Sequence, residues 1–339
     1  MTHHSVARRS VLQVAAIWTS TLTLASSLCA QASAPGDVRA TADRPLATEI
    51  RVTLLGTGSP RPLMDRFGPS ILVEAGGEKL IFDVGRGAMQ RLFQLDVSYA
   101  DVTGVFLTHL HSDHIVGLPD LWLTGWIISN RTTPLSLWGP TGTRRMAANL
   151  ERAFTFDRDI RVREGKVPVA GGQIDAHDIS QQVVFDRGGV KVTSFLVDHG
   201  MVRPALGYRV DAGSRSVVLS GDTRYSPNLI RHAKGVDLLI HEVGAASAEE
   251  LRRNENSRTI IAHHTTPEHA AQLFNEVRPK LAVFSHIVLR DISVEDVMRT
   301  TRQTYAGPLQ LGEDLMRFHV GDEVTIERMS PEAHAHRRP

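Results

Sequence analysis

Thr108-His109-Leu110-His111-Ser112-Asp113-His114 closes the apolar run 102–108 with three histidines and a carboxylate within six residues. Strand-end loops are where a rigid sheet can hold converging side chains. Imidazole and carboxylate without thiolate form a donor set that suits zinc or a similar borderline ion. One histidine pair would carry little weight, but His-x-His-x-Asp-His directly after a strand is a specific spelling. Tetrahedral zinc with an open position takes three protein ligands. Asp113 and His114, on a tight turn, point away from His109 and His111, so two metal ions are the economical reading.

Outward from this motif the chain alternates short strands and helices. Ile50–Leu55, Ser70–Glu74, Lys79–Asp83 and Val102–Thr108 are aliphatic and β-branched runs divided by Gly-rich turns. Further strands are expected at 183–186, 190–197, 206–211, 215–219, 236–240 and 281–284. Helical patterns fall at 87–95, 115–128, 141–154, 226–233, 267–277 and 294–304. Thr266 before Pro267, and Ser293 three residues before Asp296, are start signals for the last two. Strand clusters alternating with helices indicate a layered α/β domain, placed at 49–329. With 339 residues, 42% of them hydrophobic and 22% charged, there is material for a large core.

The first 32 residues differ from the rest. Arg8 and Arg9 precede an uncharged, apolar and small-residue run, Ser10–Leu28, and Ala30-Gln31-Ala32 offers an A-x-A cleavage site. We expect an export signal at 1–32, with a twin-arginine character, that is removed and leaves no stable membrane anchor. A flexible leader at 33–48 and a disordered tail at 330–339 complete the domain plan, and the expected destination is periplasmic or secreted. The only cysteine, Cys29, lies inside that signal, so the mature chain has neither a disulfide nor a thiolate ligand. Removing Arg8 and Arg9 takes the net charge to about −1, without the basic footprint of a nucleic-acid partner.

The motif is the signature of the metallo-β-lactamase superfamily, and residues 50 to 290 resemble its tRNase Z and arylsulfatase-like branch. The resemblance rests on Leu54-Leu55-Gly56-Thr57-Gly58-Ser59, Phe82-Asp83-Val84-Gly85, Val197-Asp198-His199, Ser220-Gly221-Asp222-Thr223, Ile240-His241-Glu242, His264-Thr265-Thr266 and Phe284-Ser285-His286. It implies an αββα sandwich, two mixed sheets flanked by helices. It implies two Zn2+, the first on His109, His111 and His199, the second on Asp113, His114 and His286, with Asp222 bridging. It further implies a hydrolase whose nucleophile is a metal-bound hydroxide oriented by Asp113, with His264 as general acid and Glu242 as its partner.

Each outlying ligand follows an apolar run, as a side chain presented from one sheet edge would. Taken alone, a histidine after a strand is more often a capped or core residue. Asp83 reads as a brace for the metal loop, and Gly56-Thr57-Gly58 as a tight turn. His241 reads as a neighbour of Glu242; His263, His177, His232 and His269 read as surface or packing residues. Trp122 and Trp126, four apart on one helix, read as core, with a pocket wall or a homodimer interface as the other use. Pocket walls are expected from 60–69, 120–135 and 155–182.

The tRNA-processing members of the branch carry a long arm between the ligands that match His199 and Asp222. Residues 200–221 leave room for one strand-turn-strand only. With the export signal and the charge, this favours an exported hydrolase of small molecules, aryl sulfates or phosphodiesters, over a partner of nucleic acid. The alternatives are a lactone or β-lactam hydrolase, a tRNase Z-like endoribonuclease, and a metal-binding or redox protein on the same scaffold.

Overall fold

Two mixed sheets form the centre of the computed structural model, which describes residues 49–329. The expected signal 1–32, leader 33–48 and tail 330–339 lie outside the described residues. In spatial order the first sheet runs Val324–Arg328, Met316–Val320, Ile50–Gly56, Ser70–Ala75, Glu78–Phe82, Gly104–Phe106, Leu135–Gly139 and Ile174–Asp178. The second runs Leu309–Leu311, Leu281–Arg290, Leu238–Ala246, Arg215–Leu219, Val202–Ala212, Val190–His199 and Gln182–Arg187.

In each sheet antiparallel pairing gives way to parallel pairing part-way across. The change falls between Glu78–Phe82 and Gly104–Phe106 in the first, and between Arg215–Leu219 and Leu238–Ala246 in the second. Side chains that bind ligands in α/β sheets gather beyond the carboxyl ends of such strands. Here the segments leaving those ends, at 83, 107–114 and 220–222, meet: Thr108 N donates to Asp83 at 2.8 Å, and Gly221 packs so close that a Cβ on it would lie 2.9 Å from Thr108 Cβ.

Apolar faces dictate the layers. Leu54, Phe82, Phe106, Tyr208, Val217, Ile240 and Phe318 are shared between the sheets. Helices Ala88–Gln94, Leu118–Ile127 and Thr143–Ala153 cover the outer face of the first sheet. Pro227–Ala233, Pro267–Val277 and Val294–Arg302 cover the second. The result is the αββα sandwich that the sequence led us to expect. Trp122 and Trp126 are fully buried, so both serve the core.

Phe106 is the centre of the inter-sheet packing. Its ring stacks on Phe82 at 5.0 Å and on Trp138 at 4.9 Å, and meets Tyr208 at 5.8 Å across the sheets. Tyr208 in turn donates its hydroxyl to the Leu107 carbonyl at 2.6 Å, tying the second sheet to the strand end that carries the histidine motif. Phe106→Ala would leave a cavity in a layer that cannot collapse. We expect about 3–5 kcal/mol lost from unfolding free energy, read from urea denaturation.

Several expected boundaries shift for physical reasons. The helix expected over 115–128 is two pieces, Ser112–Ile115 and Leu118–Ile127. They part at Gly117, where a Cβ would come 2.6 Å from the Gly85 carbonyl oxygen. The strands expected to stop at 240 and 284 continue to Ala246 and Arg290, so Glu242 and His286 lie inside strands. Missed altogether were the strand Leu135–Gly139 and the edge strand Ile174–Asp178, the three strands after 308, and the helices Thr155–Arg163, Ala248–Arg253 and Glu255–Ile261. Thr155–Arg163 buries no residue and so shows no apolar stripe. The start signals are seen: Thr266 accepts from His269 N, and Ser293 forms a full capping box with Asp296.

Candidate metal centre

Asp83 organises the motif. Its Oδ1 accepts from Thr108 N and its Oδ2 from the Thr108 hydroxyl, each at 2.8 Å. A hydroxyl that gives its proton to a carboxylate can only accept from its other neighbour, so His109 Nδ1, 3.0 Å away, is the protonated nitrogen. His114 Nδ1 donates to Asp83 Oδ2 at 2.7 Å, and His199 Nδ1 donates to the His263 carbonyl at 3.0 Å. All three rings therefore hold a bare Nε2 towards the centre. Asp83 adopts φ 56°, a left-handed conformation that aims its carboxylate back at the loop. Asp83→Asn replaces one acceptor oxygen by a donor facing other donors; metal affinity should fall about 10–100-fold, measured by competition with a chromophoric chelator.

The presented atoms converge in two groups. His109 Nε2 is 2.9 Å and His199 Nε2 is 3.4 Å from His111 Nδ1. His286 Nε2 is 3.3 Å and His114 Nε2 is 3.7 Å from Asp113 Oδ2. Between them sits one atom, Asp222 Oδ2, at 3.8 Å from His109 and His199 and 3.4 Å from His114 and His286. Ligands about 2.1 Å from a tetrahedral ion stand about 3.4 Å apart, and the observed spacings bracket that value. His114 Nε2, Asp222 Oδ1 and His286 Nδ1 are buried without a hydrogen-bond partner in the protein. A bare ring nitrogen facing two carboxylates calls for a cation, so the donor set fits divalent metal.

The electrostatics divide the histidines: His109, His111 and His199 favour the neutral form, and His114 favours the positive charge that a metal ion would supply. Burial lowers the proton affinity of His109, His111 and His199, keeping their lone pairs free. For His114 burial opposes charge, yet Asp222 and Asp83 outweigh it and raise the pKa well above the usual histidine value. Burial likewise opposes ionisation of Asp222, but His286 and His114 hold it well below the ordinary carboxylate range. Burial also works against ionised Asp113, which His286 and His114 pull below that range.

Local backbone geometry aims two of these groups. His286 is the extra residue of a β-bulge, since Glu242 pairs with Ser285 and Val243 with Ile287, and it takes φ 43°. A bulge re-aims a side chain that regular pleating would send elsewhere. Before Asp222, Gly221 has φ 58° and lies so close to the Leu206 carbonyl that a Cβ would sit 2.5 Å from the oxygen. Only glycine fits that turn.

His264 stands beside the second group, its ring stacked at 5.6 Å on that of His286. Its Nδ1 donates to Glu242 Oε2 at 3.1 Å. Glu242 is itself held, Oε1 accepting from Thr265 N at 2.8 Å and Thr223 N at 3.3 Å. Burial opposes the His264 cation, but Glu242 outweighs it and the pKa is pushed up to about 9. With Nδ1 engaged by Glu242, Nε2 is the nitrogen free to carry a proton toward the cleft. His241, fully buried, donates Nδ1 to the Glu242 carbonyl at 2.6 Å and faces away from any ligand role seen here.

A cleft of about 190 Å³ opens onto this centre. Its floor is His111, Asp113, His199, Asp222 and His286, and its walls are Ser59–Arg61, Ile260, His263, His264 and Val288–Arg290. The wall expected from 60–69 is present only in its first residues, and neither 120–135 nor 155–182 lines the cleft. The helix Leu118–Ile127 packs into the core instead, and 155–182 holds a helix and the outermost strand of the first sheet. His263, expected as surface or packing, is a wall residue; its adjacency to His264 was the available signal. Val288–Arg290 were missed because the strand was taken to stop short of them.

Residues 71–287 match the family model described as a beta-lactamase superfamily domain. The chain belongs to the metallo-β-lactamase superfamily, a family of metal-dependent hydrolases. Within it the chain falls in the tRNase Z branch, being 36% identical over 275 residues to Ribonuclease Z of Mycobacterium marinum, across 80% of this chain and 99% of that protein. Among solved structures, the metallo-β-lactamase fold protein YhfI of Bacillus subtilis shares the fold with TM-score 0.61 at 18% identity, covering 80% of this chain and 99% of that one. The short form of human tRNase Z does so with TM-score 0.59 at 23% identity, covering 79% and 98%.

These relatives correct the expected small-ester hydrolase. The case against RNA leaned on the short interval 200–221, which is indeed only the hairpin joining Val202–Ala212 to Arg215–Leu219. Yet the Mycobacterium marinum protein has 99% of its length inside the 275 aligned residues, so it has no room for a long arm either. A short interval therefore does not separate this chain from proteins named Ribonuclease Z, and these relatives give the aryl-sulfate reading no support.

Proposed function

We propose that this chain is a two-zinc endoribonuclease of the ribonuclease Z kind, cleaving an RNA phosphodiester bond. The observation that carries the reading is the identity to Ribonuclease Z proteins along nearly their entire length. The site chemistry is consistent with it, for divalent metal bound there would supply Lewis-acid stabilisation of phosphodiester charge and a lowered pKa for attacking water. In this reading His109, His111 and His199 would hold one zinc and Asp113, His114 and His286 the other, with Asp222 as the ligand available to both. Asp113 also orients the attacking water. His264 Nε2 delivers its proton to the departing ribose oxygen, while Glu242 keeps the ring charged and aimed. The partner is then polynucleotide, in place of the small molecule expected from charge.

The test is zinc-loaded protein incubated with a precursor tRNA bearing a 3′ trailer. Endonucleolytic release of the trailer at rates typical of processing enzymes supports the proposal. Turnover of lactone or β-lactam with intact RNA would overturn it.

A further inference from the structure

Two guanidinium groups on the cleft wall lack a counter-charge. Arg290 ends the strand Leu281–Arg290 half-buried, its Nε shut off from solvent and unpartnered. Its chain neighbour Asp291 is engaged elsewhere, by the Ser247 hydroxyl at 3.0 Å and by Arg253 at 3.6 Å. Arg61 is exposed and, like that of Arg290, its side chain makes no hydrogen bond or ion pair among the described residues. Arg66, Arg91 and Arg224 are, by contrast, committed to the fold. Arg66 donates to the Thr57 hydroxyl and the Gly312 carbonyl, Arg91 pairs with Asp314, and Arg224 pairs with Asp198.

The two carboxylates on the cleft floor cannot supply the missing charge, since both face the metal-ligand histidines. A part-buried guanidinium with open donors matches a phosphate oxygen in charge and geometry. His263 adjoins them on the wall. Its ring stands edge-on to His199 at 5.8 Å, and its side chain has no hydrogen-bond partner among the described residues. An aromatic face of that kind stacks a base without regard to sequence.

We propose that Arg61 and Arg290 form a phosphate-binding rim, adjoined by His263 as a base platform, that holds the nucleotides next to the scissile bond. The proposal rests on the nuclease reading and adds what makes a polynucleotide a better substrate than an isolated diester. An isolated diester brings one negative charge, which belongs at the metal centre. Each flanking nucleotide brings another, and the rim receives it.

The experiment compares zinc-loaded wild type, the double variant Arg61→Ala/Arg290→Ala, His263→Ala and His263→Phe. Substrates are 3′-extended RNA and bis(p-nitrophenyl) phosphate, which has no flanking phosphate. In the double variant the ratio of kcat/KM for RNA to that for the small diester should fall about tenfold or more, mainly through KM. The dependence of log KM for RNA on log salt should flatten by about 0.7 per arginine removed. His263→Ala should lower the same ratio and His263→Phe restore it. An unchanged ratio and slope would overturn the rim. Anisotropy of a labelled oligodeoxynucleotide separates this failure from that of the nuclease reading. If wild type cleaves no RNA, the nuclease reading falls; a Kd about tenfold weaker in the double variant still upholds the rim, and an unchanged Kd removes it.

Discussion

Asp222→Ala should abolish hydrolysis of phosphodiesters and strip metal from both halves of the centre together. Its Oδ2 is within 3.8 Å of four histidine nitrogens belonging to the two groups. In the two-zinc proposal, loss of the shared ligand would remove the carboxylate charge that both cations need. Metal assistance is worth several kcal/mol of transition-state stabilisation. At about 1.4 kcal/mol per tenfold, the loss is about 10³-fold or more in kcat. The expected readouts are zinc content by mass spectrometry on native protein and initial rates on bis(p-nitrophenyl) phosphate. A variant that kept two zincs and a tenth of its activity would sink the bridging role. Asp222→Asn keeps the volume and one oxygen but not the charge, so it should lose metal as well while melting near wild type.

Why the motif could be read from sequence, and the cleft could not, has a physical basis. His109, His111, Asp113 and His114 lie within six residues, and a local spelling encodes a local geometry. His199 ends a strand and Asp222 follows one by three residues, so an apolar run points to each. His286 is different: it sits inside a continuous strand, and only the bulge and its positive φ turn it inward. No periodicity announces a bulge. The family resemblance supplied that residue, where strand reading placed it beyond a strand end that does not exist.

The same contrast runs through the fold. Central strands such as Ser70–Ala75 and Val190–His199 show their burial as aliphatic runs, and capped helices such as Pro267–Val277 announce their first turn. Ile174–Asp178 is an edge strand without a fully buried residue, and Thr155–Arg163 is a helix with none. Neither has an apolar pattern to read. The cleft walls combine residues near 60, 260 and 290, whose meeting depends on how the two sheets stack. The helix after the motif looked like a wall because it is apolar on more than one face. Its Trp122 and Trp126 are instead buried in the core, so the cleft opens elsewhere.

Removing the proposed proton donor should hurt difficult leaving groups far more than easy ones. His264→Ala is expected to lower kcat for RNA about 10²–10⁴-fold, because a ribose alkoxide needs a proton as it leaves. The same change should cost bis(p-nitrophenyl) phosphate little, since p-nitrophenolate is stable without one. Zinc content should stay at the wild-type value, which separates a proton-transfer role from a ligand role; the separation matters because His264 lies close enough to Asp222 and His286 to form a third candidate cluster. Glu242→Gln tests the partnership behind the pKa of about 9. The carboxylate favours the charged ring, so its loss lowers the His264 pKa. A general acid works only while protonated, and activity disappears as pH rises through that pKa. The alkaline limb of the RNA kcat profile should therefore move to lower pH in Glu242→Gln, while the small diester keeps its profile. Equal losses on both substrates, or an alkaline limb that stays in place, would return His264 and Glu242 to a purely structural role beside Thr265.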